Sequence, residues 1–178
     1  MKFRLFMRDV ATLKLGWDTP LPSIMQEKWR QMLHELVNTA PIYIPRYVRP
    51  PNSVGKPELI VFWDGSLIAY AAPAYLRYEI TEECPGPWAD AQDRKSTWKA
   101  ALLASKGKLA SLAGISPPRS KMNSYVLAHK LAHTMLLAMK EKPSRITFIG
   151  GIECTIAAAE CNSATLKAYL ANRVNIRI

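Results

Sequence analysis

Asp64 closes an apolar run, Leu59-Ile60-Val61-Phe62-Trp63, and is followed by Gly65-Ser66 and a second apolar stretch, Leu67 to Ile80. A carboxylate where a strand gives way to a turn can hold a divalent cation at the edge of a sheet. Metal-assisted cleavage at such a site needs two or three further carboxylates converging on the same point. Whether the chain supplies them separates an enzyme from a binding or structural domain.

Few other residues have the type and spacing for chemistry. His129 and His133 stand at i, i+4 on one apolar stretch, a spacing that can bind zinc. No Glu follows His129 and no third ligand is evident, so ordinary helix residues at the edge of the core are the simpler reading. Cys84, Cys154 and Cys161 are odd in number and form no C-x-x-C pair. They read as reduced thiols in a cytoplasmic or nuclear protein, with Cys154 and Cys161 buried as small apolar residues. The Trp and Tyr residues read as core before they read as base-stacking platforms.

The elements that must position Asp64 follow from periodicity and breakers. Residues 1–18 predict a short amphipathic helix ending at Gly16, with a turn at Trp17-Asp18. Thr19-Pro20-Leu21-Pro22 breaks the chain, and Ser23-x-x-Gln26 fits a capping box. Leu21, Met25, Trp29, Met32, Leu33 and Leu36 recur at helical spacing, which predicts an amphipathic helix over 23–38. Pro41 to Val48 reads as extended, 49–53 as a linker, and the main domain is expected to begin near Pro57. Residues 58–64 and 67–80 predict two strands around a tight turn at Gly65-Ser66; the Ala-rich second suggests burial on both faces. Residues 82–97 read as a polar loop, and Glu82, Glu83, Asp90 and Asp93 make its 82–93 stretch acidic, which argues against contact with a polyanion. Residues 98–106 predict a third strand, 107–118 a basic connection, 120–140 a helix and 145–149 a fourth strand. Further helices are expected from Glu153 and over Ser163 to Arg173. Three successive strands suggest antiparallel hairpins, and a strand after the helix suggests a parallel crossover, giving a mixed α/β sheet with helices on its faces.

At 178 residues and about half apolar, the chain can bury a real core. No apolar stretch reaches the roughly 18 residues of a membrane span, and Met1 to Leu15 lacks the continuous apolar segment of a secretory signal. The formal net charge of +10 favours RNA, DNA or another polyanion as partner.

The element order, with an Asp at the end of the first strand, resembles the ribonuclease H fold. Gly16-Trp17-Asp18-Thr19-Pro20-Leu21-Pro22, then Trp29 and Ile44-Pro45-Arg46, resembles the segment that follows the reverse transcriptase in BEL/Pao retrotransposon polyproteins. Val61-Phe62-Trp63-Asp64-Gly65-Ser66, then Ala69-Tyr70-Ala71-Ala72 and Ala74-Tyr75-Leu76-Arg77, resembles the start of their RNase H-like domain. Leu102 to Lys106, Leu109-Ala110, Pro118-Arg119 and Ala171-Asn172-Arg173-Val174 continue the likeness in order over nearly the whole chain. It implies a helical connection segment over 1–50 and, over 51–178, an RNase H-like mixed sheet flanked by helices and lacking the last strand. The N-terminal segment would pack on that domain or present a partner surface.

Members of this family are implied to cut the RNA of an RNA–DNA hybrid with Mg²⁺ ions held by carboxylates. This sequence departs from that pattern. Lys121 stands where the motif after Pro118-Arg119 carries a Glu, and Gly151 stands where the next strand ends in Asp. The last Asp of the family lies beyond an additional strand, which the sequence does not reach. One carboxylate holds Mg²⁺ weakly. An ammonium at about 4 Å opposes each positive charge by roughly 4 kcal/mol at an effective dielectric near 20. Lys121 would instead pair with Asp64 and replace the metal structurally. Glu153 is better explained as a helix N-terminal charge than as a substitute ligand.

The resemblance and these departures from it imply a catalytically degenerate domain, of a kind a host can domesticate, with no cofactor and no metal, that binds or scaffolds. Lys106, Lys108, Arg119, Lys121 and Lys130 would contact the backbone of RNA, DNA or a hybrid. The plain alternative for them is a solvated basic face. Two other functions stay open: an active Mg²⁺-dependent ribonuclease H, and a pure protein-interaction domain or homodimer using an exposed sheet edge or apolar face.

Overall fold

A computed structural model of the chain describes residues 1–43, 48–80, 98–151 and 157. The chain forms two compact units, Met1–Ile44 and Pro45–Ile178, so the boundary drawn at residue 50 falls within the second. The Ile44-Pro45-Arg46 motif, the 82–97 loop, Cys84, Glu153, Cys154, Cys161 and the two expected C-terminal helices lie outside the described residues.

The first unit is a helical pair, α1 (Lys2–Thr12) and α2 (Ser23–Val37). α1 ends four residues before Gly16, because Lys14 adopts the left-handed conformation (φ 50°) and cannot continue a helix. The turn after it closes by Thr19 N–H to Gly16 O, 3.1 Å. The capping box does not form. Ser23 is already helical, Pro22 is the N-cap, and Gln26 Nε2 donates to Leu21 O at 2.7 Å. The pair is held by aromatic contact. Phe6, which is buried, stacks on Trp29 at 5.5 Å, and Phe3 meets the same indole edge-on at 5.7 Å. Lys2 Nζ reaches Glu35 Oε2 at 2.6 Å across the pair.

The second unit carries four strands and one long helix: β1 (Ser53–Gly65), β2 (Ala69–Ile80), β3 (Trp98–Leu109), α3 (Pro117–Ala138) and β4 (Arg145–Gly150). The sheet order is β3-β2-β1-β4. β1–β2 and β2–β3 are antiparallel, and β4 joins β1 in parallel after the α3 crossover. The mixed sheet expected from the element order is therefore present.

Several boundaries move, each for a local reason. β1 begins at Ser53, well before Pro57. Gly55 sits at φ 67°, and the β1–β2 register shifts between Val54 and Glu58, so a bulge carries the strand through Gly-Lys-Pro. β2 begins at Ala69, not Leu67. Leu67 and Ile68 are exposed in the loop, which closes by Ser66 N–H to Ala69 O, 2.8 Å. β3 continues to Leu109. α3 begins at Pro117, because Pro117 and Pro118 occupy the first turn, where a missing N–H is not needed.

Alternation assigns the two faces. Leu59, Val61 and Trp63 of β1 and Ala72, Ala74, Leu76 and Tyr78 of β2 are buried beneath Leu127, Ala128, Leu131 and Ala132 of α3. β2 is thus buried on one face only, contrary to the expectation of two. Ala72 and Ala74 lie fully buried under the helix, while the alternate residues of β2 are half-buried or exposed. Arg49 ties the entry of β1 to the connection that follows α3. Its Nε donates to Ser53 Oγ at 2.9 Å, its guanidinium reaches Glu141 Oε2 at 3.1 Å, and it lies over the Tyr78 ring.

Candidate functional site

The carboxyl ends of β1 and β4, the end of β3 and the start of α3 meet at one end of the sheet. Small residues make that meeting close. A Cβ on Gly65 would lie 2.6 Å from Ser120 O, so β1 touches the backbone of the first helical turn. Ser120, fully buried, donates its hydroxyl to Ser66 O at 2.6 Å. This seat fixes the height and rotation of α3 over β1, and with them the position of the next residue, Lys121.

Lys121 Nζ lies 3.5 Å from Asp64 Oδ1. Asp64 pairs with Ala71 in the β1–β2 ladder, on the face away from α3, and its side chain is 74% exposed. The Lys121 side chain is 21% exposed, its stem largely covered and its ammonium aimed at the carboxylate. Gly151 directly follows Gly150, whose parallel register partner is Trp63, so it falls beside Asp64. The two glycines differ sharply. A Cβ on Gly150 would overlap the Trp63 indole at 1.9 Å, whereas one on Gly151 meets nothing within 4 Å. Trp63 explains the first glycine; no packing explains the second.

Among the described residues, the donor set at this end of the sheet does not fit a divalent cation. Asp64 offers one carboxylate, Gly151 offers none, and Lys121 places a positive charge at the same point. Among the described residues no group of three His, Cys, Asp or Glu side chains could hold a metal ion.

Of the expected basic contacts, four lie at this end of the fold. Lys106 and Lys108 are exposed on β3, in register with Ala72 and Tyr70, two strands and about 10 Å from β1 on the α3 side. Arg119 and Lys121 lie in the first turns of α3. Residues 105–121 carry these four cations and no acidic residue. Lys130 is apart from them, nine residues on and about 13 Å along the helix axis.

His129 and His133 do not converge. His133 is exposed, while His129 is buried and lies parallel to the Phe148 ring at 4.0 Å, with Tyr125 at 4.2 Å. Its Nδ1–H donates to Tyr125 O at 3.0 Å. Burial pushes its pKa below the ordinary 6.5, against the smaller upward pull of that hydrogen bond. Tyr125 in turn meets Trp63 edge-on at 5.8 Å, so a line of rings runs beneath the strand that carries Asp64.

Sequence reasoning missed the close approach of Gly65 to Ser120, which seats Lys121, and that of Gly150 to Trp63. The available signal was three small residues at the ends of three elements that the topology brings together.

A mixed sheet in the order 3-2-1-4, with a crossover helix between the third and fourth strands and an Asp at the end of the first, defines an RNase H-like α/β domain. The family model for the Pao retrotransposon-like RNaseH-like domain matches residues 1–150, and the chain belongs to that family. No curated protein and no solved structure matches it. Among the described residues, no helix is long and apolar enough to cross a membrane.

Proposed function

We propose that this domain binds the phosphate backbone of nucleic acid and does not cut it. The observation that carries the reading is the Lys121 ammonium beside Asp64, where a nuclease of this family needs a second carboxylate. Lys106, Lys108 and Arg119 at the same end of the sheet, and the net charge of +10, supply the attraction for a polyanion. The test is a labelled RNA–DNA hybrid with Mg²⁺ or Mn²⁺. The expected result is binding that weakens steeply with salt and no cleavage; cleavage abolished by Asp64→Asn would overturn the reading in favour of an active ribonuclease H.

A second reading, a protein partner or a homodimer, has its own observation. The sheet face away from α3 exposes Phe62, Leu102 and Ile149, with Ile60 and Tyr75 half-buried among them. Within the second unit, no described helix or strand packs on that face. Light scattering of the purified chain, before and after Phe62→Glu, tests it: a dimer that dissociates on substitution supports this reading, and a monomer of unchanged mass removes the homodimer.

A further inference from the structure

We infer that the Lys121 ammonium is an exchangeable cation: it leaves Asp64 to bind a backbone phosphate, Asp64 acts as its internal competitor, and no divalent metal takes part. This rests on the nucleic-acid reading above and assigns how its central contact works.

Three features of the pair carry the inference. First, it is close but not seated. A hydrogen-bonded ammonium–carboxylate pair closes to about 2.7–2.9 Å, and Lys2 and Glu35 do so at 2.6 Å, whereas Lys121 and Asp64 stand at 3.5 Å. Second, the two halves differ in their freedom. The stem of Lys121 is largely covered and its helix turn is anchored by the Ser120–Ser66 bond, so the cation is already positioned. Asp64 is 74% exposed, so water solvates it fully once the ammonium turns away. Third, Asp64 is the sole carboxylate in the sequence of 64–70, 105–121 and 149–151, which otherwise holds only cations and neutral residues.

The sign of one substitution separates this site from a metal site. Where carboxylates hold a metal that holds the phosphate, removing a carboxylate charge weakens binding. Here Asp64 both occupies Lys121 and repels an arriving phosphate, and both effects oppose binding. Asp64→Asn removes both at once.

The experiment measures affinity of the full chain for a short fluorescent RNA–DNA hybrid in EDTA, across a salt series. Asp64→Asn is expected to tighten binding about threefold, and Lys121→Gln to weaken it about three- to tenfold while lowering the salt slope by about one. Lys140→Gln, a cation past the far end of α3, serves as the control for net charge and is expected to change affinity by less than about twofold. Thermal unfolding verifies that each variant is folded. If the wild-type chain binds but Asp64→Asn weakens binding or leaves it unchanged, the inference fails and the nucleic-acid reading stands. If the tightening appears only with Mg²⁺ present, the metal-free contact is wrong. If neither wild type nor Asp64→Asn binds, both the inference and the reading fall.

Discussion

Glu58 and Asp64 lie on the same face of the same strand, and their ion pairs are built in opposite ways. Glu58 faces Arg77 directly across the β1–β2 ladder. Arg77 Nε donates to Glu58 Oε2 at 3.0 Å, a second guanidinium nitrogen closes on the same oxygen, and the cation lies over the Trp98 ring at 4.4 Å. The Glu58 side chain is only 14% exposed. Asp64 faces Ala71 across the same ladder and draws its partner from a different element, at the end of a lysine stem that is largely covered. A pair made by the ladder forms whenever the strands pair. A pair made by a reaching lysine can exchange. The first belongs to the fold; on the proposed reading, the second serves binding.

Stability measurements can break that contrast. Arg77→Ala leaves a mostly buried carboxylate unpaired and removes a stacked cation, and should destabilise the domain by about 2–3 kcal/mol. Lys121→Ala should change stability by less than about 1 kcal/mol, because its partner is hydrated. Urea midpoints at constant slope give both values. Equal losses would mean that the Asp64 pair is as structural as the Glu58 pair.

The next prediction sharpens the contrast by reversing it. Lys121→Glu with Gly151→Asp returns carboxylates to both departed positions, and the open space around Gly151 admits the new side chain. The double variant should acquire a Mn²⁺-dependent gain in stability of about 1.4 kcal/mol at tenfold excess over its dissociation constant. The wild type should show none. No gain in the variant would mean that the end of the sheet has changed shape beyond two side chains. Gly150→Asp makes the matched failure, since its Cβ would overlap Trp63.

The antiparallel hairpins and the parallel crossover followed from three successive strands, a helix and a fourth strand, and Lys121 and Gly151 stood out only against the motifs of the family that the sequence resembles. The edges were less legible. Gly55 and Pro57 looked like the end of a linker because a bulge lets a strand use residues that strands avoid. Pro117 and Pro118 looked like a loop because their place in a first helical turn depends on where the helix begins. The Ala-rich β2 suggested two buried faces, whereas Ala72 and Ala74 are small because α3 lies on them. Least legible was the 2.6 Å bond from Ser120 to Ser66, a contact between residues 54 apart that decides where Lys121 points.

The smallest expected effect concerns pH, and it guards the comparison against a confounder. His129 is buried against Phe148 and Tyr125, and burial lowers its pKa from 6.5. In the unfolded chain the imidazole regains its ordinary value, so as pH falls below 6.5 the unfolded state takes up the proton first. Stability is therefore whole above about pH 6.5 and declines as pH drops toward the folded-state value, where the folded imidazole also charges and the decline stops. Neither ion pair on β1 involves this group, so the decline should be the same in wild type and Lys121→Ala. His129→Phe keeps a ring against Phe148 and should flatten the profile between pH 7 and 5 while sacrificing the bond to Tyr125 O. A profile that keeps its slope in His129→Phe and loses it in Lys121→Ala would place the titrating group at the end of the sheet, and would make the Asp64 pair a determinant of folding after all.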